Sequence, residues 1–580
     1  MYILGLQIAH SSTAALIKDE KIIGAISEER LTRKKCHFGF PILSIKKLLE
    51  IGKINGEDIS IVTIASKELD VSNKKIHSEI FKYALGKEYE KIASKTKYNI
   101  SETIKLILKN LNINSEFKFY EHHLAHSASA YYTCEFSDPL IITSDGHGDG
   151  YCNTANIIEN NSIKRIDAVH KFYSAGRFYS FITVIEGFKP LRHEGKITGL
   201  AAYGDSSKLI NKFRYFLKYN IKTNKFSSKF IEDCERKKIL LKSTTAVKYL
   251  LGKVNNLSWI DQYYIAELKK ITKGYSKEDI AAAAQLLIEE VTIDYVKYWL
   301  SKTKKKNVIL AGGLFANVKL NQYIHEISDV ENIYIHPGMG DEGLALGSAY
   351  LALKEKKENI QRKNLENVYF SEEFNEKNIE KILNEPENTK KYQYEKLSSP
   401  KLAKIVASYI EQGKIIGLFT KKMEYGPRAL GARTVMADPR DKSINDWLNK
   451  RFKRTEFMPF APVVMEEYAN LVFENIKGAE YTAEFMTITF DVKPEWTKKI
   501  SAVSHVDNTA RPQILKKKTN PLYYSIINEY YKITGIPLTI NTSFNMHEEP
   551  IIDSPKTALR ALDTGAIDYI VMENYIVKNK

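Results

Sequence analysis

Cysteine is scarce. The chain of 580 residues holds four, Cys36, Cys134, Cys152 and Cys234, and none forms a CxxC pair. A disulfide framework, a zinc ribbon and a thioredoxin-like motif are therefore excluded, and a reducing cytoplasm is the expected location. Long apolar runs are missing too: nothing approaches the ~20 residues of a membrane span. The N-terminus, MYILGLQIAHSS, lacks a basic n-region, and Gln7 and His10 interrupt its apolar run, so no signal peptide is expected. No repeat of fixed period is present. The composition is that of a globular protein, 43% hydrophobic, 11% aromatic and 27% charged, which rules out disordered and collagen-like classes. At this length two or more domains are expected. Lys and Arg outnumber Asp and Glu by 86 to 70, a net charge of +16. They fall in short runs such as Lys304-Lys305-Lys306 and Lys516-Lys517-Lys518. A solvated basic surface is the expectation, with neither nucleic acid nor membrane as a partner.

Strand patterns at 2–9, 14–18, 22–27 and 61–65 and a helix over 41–51 open the chain. A strand at 117–120 leads into a helix carrying HHLAHSASAYYT. Another strand, 140–144, is expected to end in a turn DGHGDG, with strands following at 152–158 and 163–170. Residues 207–273 read as polar and helical. A long helix over 277–302, a strand NVILAGG, a helix over 314–323, a strand at 333–336 and a helix over 342–354 complete this half. The segment 354–378 is charged and weakly periodic, a linker or crossover. Beyond it strands are expected at 415–419, 486–490 and 538–541. Alternating strands and helices argue for α/β architecture, with domains at 1–365 and 366–580.

Several constellations carry chemistry. His122 and His126 are four apart, so a helix projects both imidazoles from one face about 5–6 Å apart, a metal-ligand spacing. His123 competes for that role, and a polar histidine pair is the plain alternative. No Glu stands between the histidines, so HExxH chemistry fails. In DGHGDG, Gly146, Gly148 and Gly150 let amides approach an anion, and Asp145 at the strand end could ligate a metal; a hairpin turn explains the same residues. AGGLFAN, with Gly312, Gly313 and Asn317, sets glycines before a helix start, a phosphate-binding arrangement. HPGMGDEG repeats that theme and adds Asp341, which could equally be a helix cap. In the second half Arg428 and Arg433 flank glycines in YGPRALGAR, followed by Lys453, Arg454, Arg511 and the NTSFN segment with Ser543 and Asn545. That many cations among Gly, Pro and amide residues suggests a polyanion site.

The ordered set GLQIAHSSTAAL, SEERLTRKK, HHLAHSASAYY, DGHGDG, HEGKITGLAAYG, AGGLFANVKLN, HPGMGDEGLALGSAY, YGPRALGARTVMADPR, FMPFAPVV, HVDNTARPQ and NTSFN resembles the NodU/CmcH/TobZ family of O-carbamoyltransferases across nearly the whole chain. The resemblance implies an actin/sugar-kinase/Hsp70-like duplicated first domain, like that of the tRNA threonylcarbamoyl-transfer metalloprotein, and a YrdC-like second domain. It implies that carbamoyl phosphate and ATP give carbamoyl-adenylate in the second domain. The carbamoyl group then passes to a hydroxyl of a sugar or other small acceptor in the first. It implies metal ligation by His122, His126, Asp145 and Asp341, with iron expected and manganese or zinc as alternatives, and magnesium accompanying ATP. His10 matches the histidine that acts in transfer. Gly146, Gly148, Gly312, Gly313 and Asn317 match nucleotide-binding positions. Arg428, Arg433, Lys453, Arg454, Arg511, Ser543 and Asn545 fall to carbamoyl phosphate and ATP. One departure stands out: YrdC-like proteins carry K-x-R, whereas Lys453 and Arg454 are adjacent. His10 is the side chain there whose pKa lies near neutrality, suiting a general base. The competing readings are a tRNA threonylcarbamoyladenosine-type enzyme and a non-catalytic nucleotide-binding regulator. A homodimer is left open, and nothing in the chain names the acceptor.

Overall fold

The computed structural model describes residues 1–67, 74–236, 259–452 and 458–580. The fold is mixed α/β, in two compact units. The first combines Met1–Glu135 with Tyr334–Lys580, and the second is Phe136–Ile333. Among the described residues no helix is long and apolar enough to cross a membrane.

In the first unit the opening strands are β1 (Tyr2–Gln7), β2 (Thr13–Lys18), β3 (Lys21–Ser27), β4 (Ile59–Ile64) and β5 (Glu116–Phe119). They form a sheet in the order β3-β2-β1-β4-β5. β1, β2 and β3 are joined antiparallel, while β4 and β5 run parallel to β1. Both faces of β1 are buried, which explains why its sequence is a nearly continuous apolar run. One face packs on a core that includes Leu4, Leu6, Leu16, Ile26, Phe40, Ile45 and Leu48. The helix Leu344–Lys356 also packs on β1. The chain end contributes an eight-stranded sheet. In spatial order its strands are Tyr392–Lys396, Tyr575–Asn579, Tyr569–Met572, Ile416–Phe419, Arg433–Ala437, Leu538–Ser543, Ala461–Met465 and Gln513–Leu515. Two of its neighbour pairs are parallel and the rest antiparallel.

The second unit holds β6 (Leu140–Gly148), β7 (Tyr151–Glu159) and β8 (Ser162–His170), followed by Asn307–Ala311. The strand Asn332–Ile335, through which the chain leaves the unit, ends the same sheet. β6–β8 are antiparallel neighbours, and Asn307–Ala311 runs parallel to β6. Strand order in this sheet repeats that of the first: an antiparallel meander whose first strand then takes a parallel neighbour. The helix Lys277–Thr303 starts where Ser276 accepts from the amide of Asp279 and stops at left-handed Lys304.

Three expectations need correcting. DGHGDG is not a turn throughout: β6 continues to Gly148, which pairs with Tyr151. Only Asp149 and Gly150 turn, both at positive φ (46° and 85°), the primed geometry that matches strand twist. The strand expected at 486–490 shrinks to Phe490–Asp491, because Met486 takes φ 55° and Thr487 donates its hydroxyl back to Thr482 O. Residues 207–273 are not wholly helical, since Lys218–Asn220 and Lys225–Ser227 form a hairpin; 237–258 fall outside the described residues.

Candidate active site

The helix His122–Tyr131 begins at Glu121, whose carboxylate accepts from Leu124 N at 2.7 Å. Its geometry sets His122 and His126 one turn apart. Their Nε2 atoms are 3.1 Å from each other and each is 3.8 Å from Asp341 Oδ1. His126 is fully buried and His122 nearly so. His123 points elsewhere, with ring centroids 5.3 and 6.2 Å from those of His122 and His126, against 4.7 Å between the pair. Asp341, in the 3-10 turn Asp341–Gly343, reaches the histidines because the helix that follows it, Leu344–Lys356, lies against theirs. A Cβ on Gly347 would stand 1.9 Å from Ala125 O, so only glycine permits this approach. Two imidazoles and a carboxylate whose ligand atoms lie within 4.8 Å of one another fit a borderline divalent ion.

His10 belongs to the same group. Its Nδ1 lies 3.7 Å from Asp341 Oδ2 and 3.0 Å from Ser11 Oγ. The flanking residues Ala9 and Ser11 both take left-handed φ, 74° and 49°, a strained conformation of the kind found at functional sites. Mutual backbone bonds between Ala9 and Gly39 hold it. Gln7, at the end of β1, donates to His10 O at 3.2 Å and to Asp341 Oδ2 at 3.5 Å. The sequence signal for Gln7 was its interruption of an apolar strand.

The loop carrying Asp341 is closely enclosed. Burial holds His336 down to about 4 and pushes Glu342 up to about 7, helped by the Asp341 charge. The hydroxyl of Tyr425 donates to Glu342 O at 3.0 Å. Arg428 follows on that segment, buried enough that its pKa falls, with Glu342 as the charge that opposes the fall. Arg433 is fully buried. It donates to Thr420 O and Ala432 O at 2.6 and 3.0 Å and lies 3.6 Å over the Phe419 ring. Burial lowers its pKa to about 10, leaving it charged at neutral pH. Its Nη atoms thus hold the loop around them. Ser543 is the strand partner of Thr434, and Asn545 donates to Glu549 O at 2.5 Å. Arg511 is half-buried, two residues before Gln513 on the edge strand. Lys453 and Arg454 lie outside the described residues. Two arginines of SEERLTRKK, not singled out from the sequence, reach the segments of the chain's second half. Arg30 donates to Gly426 O and Arg33 to Pro550 O and Ile551 O, each at 2.7 Å.

In the second unit Asp145 Oδ1 accepts from Gly146 N at 2.6 Å, and Asp145 O accepts from Ser174 Oγ at 2.9 Å. A Cβ on Gly313 would lie 3.0 Å from Asp145 Oδ1. Gly312 has φ 105°, and a Cβ there would meet Ser144 O at 2.2 Å. Gly146 faces open space, and Gly148 is a buried strand residue. Asn317 caps the helix Val318–His325 by accepting from Leu320 N. Its amide also exchanges hydrogen bonds with Gln285 at 3.1 and 2.8 Å, so its polar atoms serve the fold.

The family profile for the carbamoyltransferase N-terminus matches residues 2–350, and that for the carbamoyltransferase C-terminus matches 407–579. An uncharacterized protein of Methanocaldococcus jannaschii, MJ1051, is 32% identical over 579 residues and covers 99% of both chains. Nodulation protein NolNO of Sinorhizobium fredii is 28% identical over 585 residues, 98% of this chain and 79% of that one. Among solved structures, full-length HypF in a phosphate- and nucleotide-bound form aligns with 61% of this chain and 46% of its own, at 16% identity and TM-score 0.32.

Proposed function

The chain belongs to the carbamoyltransferase family, and on that premise we propose that it is an ATP-dependent O-carbamoyltransferase acting on a sugar or other small hydroxyl acceptor. The observation that carries this reading is the convergence of His10, His122, His126 and Asp341 on one point. The repeated strand order of the two five-stranded sheets supports a duplicated actin/sugar-kinase-like part over 1–365. The activation step is assigned to 366–580, read as YrdC-like.

Activation must balance. Carbamoyl phosphate loses orthophosphate to water, and the freed carboxylate oxygen attacks the α-phosphorus of ATP and expels pyrophosphate. Arg428, Lys453, Arg454 and Arg511, with Ser543 and Asn545, are assigned to the phosphates, where cations offset developing charge. Arg433 supports that loop from beneath. Transfer then joins the acceptor oxygen to the carbamoyl carbon and releases AMP and a proton. With Nδ1 engaged by Ser11 and facing Asp341, His10 takes that proton at Nε2. His122, His126 and Asp341 would hold the metal, iron by preference, with Asp145 assigned as fourth ligand. A bound divalent ion supplies Lewis-acid polarisation of an oxygen. Gly146, Gly148, Gly312 and Gly313 are assigned to nucleotide phosphates, with Asn317 shaping their turn.

The test is to incubate the full chain with labelled carbamoyl phosphate, ATP, a divalent metal and extracts rich in glycans. Carbamoyl-phosphate-dependent pyrophosphate release with label in a base-labile product is expected. Absence of that release in metal-loaded protein would sink the reading.

A further inference from the structure

Arg30 and half-buried Arg428 of the first unit each keep a buried guanidinium nitrogen that nothing among the described residues accepts, as Arg433 does at its Nε. Arg30, on the short helix Glu28–Thr32, is 4% exposed. Its Nη2 is bound to Gly426 O at 2.7 Å. Its Nε lies 3.7 Å from Glu29 Oε1, too far for a hydrogen bond. Its Nη1 is buried without an acceptor. Arg428, two residues beyond Gly426, has a buried Nε in the same condition. The neighbouring Arg33 is the contrast, with both arms of its fork on backbone carbonyls.

A buried donor left unmatched is costly, and more so on a charged group. Arg30 grips the loop that carries Arg428 through Gly426 and has Glu29 beside it, so the two unmatched nitrogens belong to adjoining segments. Such donors suit an oxyanion that brings several acceptors at once. With one arm pinned on Gly426 O, the Arg30 fork is set in advance, which lowers the ordering cost of binding.

We propose that Arg30, together with Arg428, is a phosphate-binding residue, the phosphate belonging to carbamoyl phosphate or to the nucleotide. This rests on the activation step proposed above. It adds to that step a residue from the opening segment of the chain, some 400 positions before the other cations.

The test is binding without turnover. Wild type, Arg30→Met and Arg30→Lys, as full-length proteins, are titrated calorimetrically with inorganic phosphate and separately with AMP. At least a tenfold weakening is expected in Arg30→Met for one probe, partly restored in Arg30→Lys, with circular dichroism unchanged. Weakening for phosphate assigns the group to carbamoyl phosphate, and weakening for AMP alone assigns it to the nucleotide. Unchanged affinity for both probes overturns the proposal, as does a wild type that binds neither. Should Arg30→Met fail to fold, the Arg30→Lys titrations decide, because charge is kept and only the fork is lost. Failure of pyrophosphate release in wild type would overturn the activation reading while leaving these affinities to judge Arg30.

Discussion

Replacing His10 by alanine removes the imidazole beside Asp341, the proposed proton acceptor, while leaving the 425–433 loop untouched. Transfer should fall by about 10²- to 10⁴-fold, and carbamoyl-phosphate-dependent pyrophosphate release should stay near wild type. Assaying both products together checks this; equal loss of the two would show that His10 serves activation or folding instead. Removing both imidazoles, His122→Ala with His126→Ala, should leave protein that elemental analysis finds without transition metal. Metal retained at wild-type stoichiometry would move the site elsewhere. These residues were legible in the sequence because histidines four apart advertise a shared helix face. By its local pattern Asp341 was a carboxylate in a glycine-rich loop that a helix cap also explains, and only the family resemblance marked it as a ligand. The contacts of Gln7, Arg30 and Arg33 were not legible. Their roles depend on partners 334, 396 and more than 500 positions away, and no local pattern encodes such distances.

Helices and strands carry the next tier of consequences. The crossing at Gly347 leaves no room for a methyl group against Ala125 O. Gly347→Ala should therefore push the helix Leu344–Lys356, and with it the preceding turn of Asp341, away from the histidine helix and destabilise the fold by about 1–3 kcal/mol, the usual range for overpacking. Thermal unfolding together with metal content measures both effects, and an unchanged midpoint would contradict the packing. On the helix Lys277–Thr303, burial pushes Glu289 up to about 7 although Gln285 donates to it at 2.7 Å. The folded state thus binds a proton that the unfolded chain releases near the ordinary 4.5. The stability tied to that proton is full below 4.5 and is lost as pH rises to about 7. Glu289→Gln should gain stability over wild type between pH 5 and 8, read as a widening gap in denaturant midpoints; a constant gap would refute the shift. The β1–β4 strands and the long helix were legible because their periodicity and caps are local. The 486–490 strand was misread because an apolar run there is buried by a turn and not by strand pairing. The order of the eight-stranded sheet was beyond reach, since its last strand inserts beside Tyr392–Lys396.

At the scale of the molecule the first unit is made of two stretches of chain, Met1–Glu135 and Tyr334–Lys580, while the second is continuous. Hydrogen bonds such as Gln7 to Asp341 and Thr63 to Ser348 join residues 334 and 285 positions apart. Closing such loops carries an entropy cost, and contacts this distant form late. During synthesis, β1 to β5 leave the ribosome long before the helix that covers β1 exists, whereas Phe136–Ile333 can collapse as soon as it emerges. Refolding followed by pulsed hydrogen exchange should protect amides of β6 to β8 and Lys277–Thr303 before those of β1 to β5. Simultaneous protection would mean that the two units fold as one. The proposed transfer group comes together only when Asp341 and the helix Leu344–Lys356 reach the histidine helix, so a chain stopped before them would hold His10, His122 and His126 without their shared carboxylate.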